Sequence, residues 1–440
     1  MCYNLIEMRL GVDIIMKKII LLLILFISVS LTACDGNESV DSILDTPEVT
    51  ISETGLASWN KVKNASEYAY KINNGEILYT SKRNVQLNNG EIISVQAICE
   101  EEQYNSEFSV GKIYLKKNPN LKAWQQTYFQ YFDTVSTIMS YKGDTQEEFA
   151  KNLEVVQEVL WEYHQLFDIY YEYSGINNLC TINKMAGGEP LVVDQKLIDF
   201  LLYAKEIYTI TNGETNVMLG SVLKLWHDAR TTATNDPDNK YVPDMKVLEE
   251  ANLHTSIDLL EIDDENNTVR ITDPKARIDV GALGKGYATE KLAQTLEARG
   301  CTSYVLNIGG NLRIIGTKVD GTGWNTGIKN PKDQSTYSLY LNISDVSCVT
   351  SGDYERYYMY EGKKYHHITD KDTLLPSEYF ASVSVLVKDS GLADALSTAL
   401  FSMSYEDGKA LVEKIGNVEV IWVLYDGTVL HTDGIIPIDL

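Results

Sequence analysis

One charge of each sign, Asp279 and Lys285, flanks a turn in which Gly281, Gly284 and Gly286 fall within six residues. Before it, Ile278 and Val280 read as the end of a buried strand. After it, Tyr287, Leu292 and Leu296 recur at helical spacing until Gly300. A strand, a glycine-rich turn and a helix N-terminus make an anion site, because bare backbone admits a phosphate and unpaired N–H groups point at it. A tight turn with a surface lysine fits the same spacing. A second stretch, Ala393 to Phe401, is small or apolar except for Asp394 and Thr398. At i and i+4 these two share a helical face about one turn apart. A buried carboxylate requires a partner. A lysine or the helix's own amides would make Asp394 a cap. A hard cation, Mg²⁺ or Ca²⁺, would use carboxylate and hydroxyl together. Between the two stretches, Tyr365-His366-His367-Ile368-Thr369-Asp370 invites a metal or a triad. Adjacent histidines in a strand point to opposite faces, so one at most enters a site. Ser351-Gly352 lacks a G-x-S-x-G elbow, which argues against a serine hydrolase.

Helices and strands must hold these groups in place. Asp144-Thr145-Gln146-Glu147-Glu148 has the form of a capping box, opening a helix with Phe149, Leu153, Val156, Leu160 and Phe167 on one face. A second helix runs from about Gln195 to Ile210 and ends at Asn212-Gly213. Tyr304 to Ile308 and Val383 to Val387 read as buried strands. Ahead of all this, residues 47–117 alternate in short runs, with Asn73-Asn74-Gly75 and Asn88-Asn89-Gly90 as turns. Such runs imply a small all-β sandwich. The placement of Trp59, Tyr68 and Val95-Gln96-Ala97 resembles a fibronectin type III-like module. Nothing in it looks catalytic, so it reads as a spacer or binding module, bounded by Asn118-Pro119-Asn120.

At 440 residues the chain exceeds one typical domain, and its net charge of −24 excludes non-specific nucleic-acid binding and basic docking on anionic lipid. Cys99, Cys180, Cys301 and Cys348 show no CxxC and no close His/Cys cluster, which argues against zinc and iron–sulfur sites. Lys17-Lys18, an apolar run from Ile19 to Leu31 and Leu31-Thr32-Ala33-Cys34 make a secretory signal over residues 1–34, with Met16 as the expected start. Leu31 to Cys34 resembles a bacterial lipobox. That implies a lipidated Cys34 and a membrane-anchored, extracytoplasmic protein, with residues 35–46 as a tether. An ordinary signal peptide with a chance cysteine is the alternative.

Eight motifs then stand in order: Phe132-Asp133-Thr134; Ser174 to Asn183; Thr211 to Asn216; Ile278 to Ala288; Asn307 to Asn311; Thr350 to Arg356; His366 to Pro376; and Ala393 to Phe401. Together they resemble the ApbE family of FAD:protein FMN transferases over residues 122–440. The resemblance implies an α+β catalytic domain that splits FAD at its pyrophosphate and joins FMN to a threonine or serine of an exported acceptor protein. It also implies a divalent metal, Mg²⁺, held by the Ala282 backbone carbonyl, Asp394 and Thr398, which would make Asp394 a ligand and not a cap. The implied FAD contacts are Phe132, Tyr170, Glu214, Thr215, Asn216, Asp279, Lys285, His367 and Ile368. Lys285 and the metal would stabilise charge on the pyrophosphate. His367, with the pKa range of a histidine, is the candidate base, alongside Asp394.

The chain departs from the family pattern at three places. Phe132-Asp133 replaces Met-Gly, Glu214-Thr215-Asn216 replaces Ala-Phe-Asp, and Lys371 and Leu374 replace the proline and glycine of D-P-x-T-G. Two rival readings share the sequence: an FAD pyrophosphatase yielding FMN and AMP, and a non-catalytic flavin-binding or adhesion lipoprotein.

Overall fold

Alternating apolar and polar residues set the first strands of the computed structural model, which describes residues 42–116, 123–141 and 145–439. The signal, Cys34, most of the tether and Asn118-Pro119-Asn120 lie outside the described residues. In chain order come β1 (Val49–Ile51), β2 (Leu56–Trp59), β3 (Glu67–Ile72), β4 (Leu78–Thr80), β5 (Asn84–Gln86), β6 (Ile92–Ile98) and β7 (Gly111–Ile113). β1, β2 and β5 make one sheet, and the rest belong to another. Ala57, Trp59, Tyr68, Ile93, Val95 and Ala97 share a core of their own. Trp59 stands edge-on to Tyr68, whose hydroxyl accepts the Val62 N–H at 2.9 Å.

Beyond residue 123 the chain builds an eight-stranded antiparallel sheet that follows chain order. Its strands are β8 (Trp124–Tyr131), β9 (Thr134–Ser140), β10 (Ser303–Ile308), β11 (Asn311–Gly316), β14 (Ser347–Gly352), β15 (Ser382–Val387), β16 (Glu419–Val423) and β17 (Val429–His431). The hairpin of β12 (Trp324–Asn330) and β13 (Asp333–Ile343) covers one face through Ile328 and Leu341. Helices cover the other face. α1 (Gln146–Phe167) opens at the expected capping box: Thr145 Oγ1 accepts the Glu148 N–H, and the Glu148 carboxylate accepts the Thr145 N–H at 2.9 Å. Its Phe149, Val156 and Leu160 pack with Leu292 and Leu296 of α5 (Gly284–Ala298) against Ile138, Tyr304 and Leu306. α6 (Ser390–Phe401) lays Leu396 and Leu400 on Val383, Val385 and Trp422. Between α1 and α5 come α2 (Leu179–Lys184), α3 (Gln195–Ile210) and α4 (Gly220–Asn235). The α+β class, the two long helices and the two buried strands thus stand as the sequence implies. Cys99, Cys180, Cys301 and Cys348 are buried free thiols.

α5 and α6 are joined by charge as well as by packing. Arg313 on β11 is fully buried, with Nε 3.3 Å from Glu290 and Nη2 2.9 Å from Glu297 on α5. Glu290 also accepts the Ser390 N–H at 2.9 Å, fixing the first turn of α6. Burial raises the Glu290 pKa, against the pull of that N–H and of Arg313.

One expectation is corrected. Ile278 and Val280 are buried but belong to no strand, because the backbone there is held by a side chain and a loop. Asn183 accepts the Ile278 N–H at 2.7 Å and donates to the Ile278 carbonyl at 2.9 Å, while Asp279 N–H donates to Val217. One sheet also takes strands from both sides of residue 117. β18 (Ile438–Asp439) pairs in parallel with β7 through Ile438↔Gly111 and pairs with β13 through Tyr340↔Ile438. The result is one seven-stranded sheet, β12-β13-β18-β7-β6-β3-β4. The outer edge of β7 carries backbone groups that need partners, and the far end of the chain supplies them. Gly111 N–H donates to Pro437, Asn74 donates to the Gly434 carbonyl at 3.1 Å, and Lys112 pairs with Asp439.

Candidate active site

The first turn of α5 is where bare backbone and charge meet. Leu283 and Gly284 donate to the Val280 carbonyl, Tyr287 donates to Leu283, and the Asp279 carboxylate accepts the Gly281 N–H at 2.9 Å. The Gly286 N–H leaves the helical ladder altogether and donates to Asp394 Oδ2 on α6 at 2.8 Å. Asn311, at the start of β11, donates to the same oxygen at 3.0 Å, and Lys285 Nζ lies 4.0 Å from it. Asp394 is therefore not the cap of its own helix, a place taken by Asp389, which accepts the Leu392 N–H. It caps α5 instead. Because Gly286 turns away, the Ala282 carbonyl falls outside the helical ladder. Lys285 Nζ donates to the Gly281 carbonyl at 3.3 Å, so a cation already rests among these oxygens.

Thr398 lies one turn beyond Asp394, its Oγ1 3.4 Å from Ser351 Oγ on β14. Ser351 Oγ also meets Ser397 Oγ at 2.8 Å. Ala282, Asp394 and Thr398 supply oxygen donors only, with a single carboxylate. Among the described residues no three His, Cys, Asp or Glu side chains gather as a metal cluster. A one-carboxylate oxygen set fits Mg²⁺, which keeps waters and substrate phosphates as its other ligands.

A second group of candidates stands on other elements. Phe132 sits in the hairpin between β8 and β9 and donates its N–H to His164 Nδ1 at 3.2 Å. Tyr170 is half exposed, its hydroxyl 2.7 Å from His227 Nδ1, and burial of the phenol end with the charge of Asp279 pushes its pKa up to about 12. Glu214 pairs with Lys371 at 3.2 Å, so two departures from the family pattern form one ion pair, and burial raises the Glu214 pKa against that pull. Thr215 and Asn216 turn inward. Thr215 Oγ1 donates to the Ala395 carbonyl at 2.8 Å, and the Asn216 amide bonds Thr255 and Met218. Ile368 packs its side chain into the core and gives its N–H to His366. For Thr215, Asn216 and Ile368, the side chains serve the scaffold.

The strand that carries His366 ends there, and His367 lies in the bend that follows. His366 is buried and bonds the Ser377 carbonyl at 2.8 Å. The Nδ1 of His367 is a buried atom without a hydrogen-bond partner. Burial and then the charges of Arg356 and Arg230 lower its pKa to about 3. This corrects the expectation of a histidine titrating near neutrality: His367 is neutral at pH 7 and a weak base until those two cations meet an anion. Its depressed pKa ties stability to pH. Between about 6.5 and about 3 the unfolded chain binds a proton that folded His367 refuses, so stability is lost as pH falls through that window. His366 and His227, also lowered by burial, act in the same direction. Replacing His367 with Gln is expected to flatten the fall in urea midpoint between about pH 6.5 and pH 4 relative to wild type. An unchanged slope would show that His367 is not held neutral by its surroundings.

The ApbE family model matches residues 132–422, from the hairpin of Phe132 into β16 of the main sheet. The chain belongs to the ApbE family. The FAD:protein FMN transferase of Treponema pallidum is 32% identical over 275 residues, which are 59% of this chain and 74% of that protein. The Vibrio cholerae protein of the same name is 29% identical over 285 residues, 64% of this chain and 82% of its own length. Among solved structures, the ApbE protein of Thermotoga maritima superposes with a TM-score of 0.62 at 27% identity, covering 71% of this chain and 97% of its own.

The structure adds site residues that sequence reasoning left without a role: Asn311, Ser351, His227, Arg230 and Arg356. Asn311, Ser351 and Arg356 stood inside quoted motifs, but nothing local marked Asn311 as a donor to a carboxylate on another element. Where the ApbE pattern has glycine, this chain has Asp133 and Leu374, yet both keep positive φ, 50° and 60°. Burial of Leu374 and the bond from Trp226 Nε1 to its carbonyl, 2.9 Å, offset that strain.

Proposed function

We propose that the chain transfers FMN from FAD to a threonine or serine hydroxyl of an exported acceptor protein. One observation carries most weight: Asp394, buried one turn before Thr398, joins the first turn of α5, Asn311 and Lys285, so a carboxylate, an ammonium and bare backbone meet at one point. FAD:protein FMN transferase is also the name of the related proteins above, and 132–422 is the part that matches the family. Residues 47–117, a fibronectin type III-like module in this reading, stand outside the chemistry as a spacer or binding element.

In this reading the acceptor hydroxyl oxygen attacks the FMN-side phosphorus. A new P–O bond forms, the bond to the bridging oxygen breaks, and AMP leaves with that oxygen. Ala282, Asp394 and Thr398 would hold Mg²⁺, which when bound neutralises charge on the pyrophosphate. Lys285 places an ammonium at the same point, and Arg230 and Arg356 add positive charge on the side of Tyr170 and His367. An anion there offsets the two guanidinium charges that depress His367, raising its basicity when substrate is bound. His367, with its unpartnered Nδ1, is then suited to take the hydroxyl proton. Phe132 and Tyr170 offer aromatic surface to the flavin.

Incubation with FAD, Mg²⁺ and an acceptor protein is expected to yield acceptor heavier by one FMN and one AMP per modification. Equal turnover to free FMN with and without acceptor, and no modified acceptor, would establish the pyrophosphatase instead. No FAD turnover at all would leave the non-catalytic flavin-binding reading. We further propose that Cys34 is lipidated and holds the protein on the outer face of a membrane. No helix among the described residues is long and apolar enough to cross one. Wild type is expected in the membrane fraction and Cys34→Ala in the soluble one.

A further inference from the structure

β8 and β9 are joined by a two-residue turn, Tyr131 pairing with Thr134, and both residues in it are left-handed: Phe132 at φ 53° and Asp133 at φ 50°. Such turns favour Asn and Gly, because a side chain at positive φ crowds its own backbone. A phenylalanine and an aspartate in this conformation need something outside the turn to hold them.

His164, on α1, is in the place to do so. Its Nδ1 accepts the Phe132 N–H at 3.2 Å, and its ring meets the Phe132 ring edge-on with centroids 5.7 Å apart. Since Nδ1 accepts, the proton of the neutral ring sits on Nε2, which faces the Tyr173 hydroxyl at 3.3 Å. Tyr173 in turn donates to Asp168 Oδ2 at 3.0 Å. The other Asp168 oxygen accepts the Tyr170 N–H at 2.7 Å and the Tyr171 N–H at 2.9 Å. Trp161 closes the cluster, tilted on His164 at 5.3 Å and edge-on to Tyr173 at 6.0 Å. Every donor in this relay meets an acceptor. It runs from the backbone of Phe132 to the backbone of Tyr170.

We propose that His164 is a positioning residue that fixes Phe132 and Tyr170 relative to one another and so sets the affinity for the flavin of FAD. This rests on the reading of Phe132 and Tyr170 as flavin-facing. His164 touches no reacting atom in it; His164 orders the two rings before the ligand arrives, which spares the binding step the cost of ordering them.

The test is FAD titration by flavin fluorescence and steady-state kinetics, with thermal melting as the check on folding. His164→Phe keeps a ring of similar size but removes both polar ends. It is expected to weaken FAD binding and raise KM for FAD by about ten-fold, the loss of about one hydrogen bond, with a smaller fall in kcat. His164→Asn restores an acceptor near Nδ1 and is expected to bind FAD more tightly than His164→Gln, whose oxygen lies near Nε2. Adding Asp133→Gly to His164→Phe is expected to recover most of the affinity, because glycine holds the left-handed turn unaided. A folded His164→Phe with wild-type affinity and KM would overturn the proposal. So would a loss that is just as deep in His164→Asn and that the added glycine does not recover, since that pattern belongs to general damage. If His164→Phe fails to fold, the comparison of His164→Asn with His164→Gln decides, and equal affinities overturn the proposal. Wild-type protein that binds no FAD would remove the flavin-site reading itself, an outcome separate from all of these.

Discussion

Asp394→Asn is expected to fold like wild type and to cleave FAD about a thousand-fold more slowly, the factor corresponding to a loss of several kcal/mol of charge stabilisation. The substitution conserves volume and keeps an oxygen able to accept the Gly286 N–H. It removes the only carboxylate in the Ala282, Asp394 and Thr398 set. It also removes the negative charge that Lys285 faces at 4.0 Å and turns the other oxygen into an N–H₂ group, which cannot ligate a cation. Mg²⁺ titration by calorimetry should show the binding heat of wild type disappear. Thr398→Val should be milder, since it removes a neutral ligand at similar volume. Full-rate FAD cleavage by wild type in excess chelator would show that Asp394 serves only to cap α5.

Gly286→Ala should damage both stability and activity, by a different route. A Cβ at Gly286 would lie 2.4 Å from the Asp394 Cβ and 2.4 Å from the Ser390 carbonyl oxygen. The second contact is backbone, so no rotamer change relieves it, and α5 and α6 must move apart. The overpacking is expected to cost about 3 kcal/mol and to draw Asp394 away from the turn it caps. A urea midpoint and an FAD cleavage rate both equal to wild type would mean that the two helices have slack where they cross.

Much of the scaffold was legible because its signals are local. The Thr145–Glu148 capping box, the apolar face of α1, the Asn212-Gly213 stop after α3 and the apolar runs of β10 and β15 each lie within one turn or one strand. Asp394 and Thr398 were legible as a pair for the same reason. What the pair does was not, because its partners stand elsewhere in the chain: Gly286 is 108 residues away and Asn311 is 83. The depression of His367 comes first from burial and then from Arg356 and Arg230, brought near by the loop after β14 and by α4. Ile278 to Val280 looked like a strand because it is apolar, but Asn183 supplies bonds that a neighbouring strand would otherwise make. Asp133 and Leu374 hid two left-handed positions that glycines would have announced.

The parallel pairing of β7 with β18 has a consequence for how the chain comes into being. Lys112 and its partner Asp439 are 327 residues apart, and a chain synthesised from its N-terminus delivers β7 long before β18. Throughout that interval β7 presents an open edge, the feature by which strands recruit other chains. Contacts so distant in sequence also form late, after the loop between them has been closed. Pairing of Ile438 and Asp439 with β7 therefore completes the sheet. A chain cut short near residue 436 would retain every candidate catalytic side chain yet leave β7 unzipped, and so expose its incompleteness to proteases and to other copies of itself.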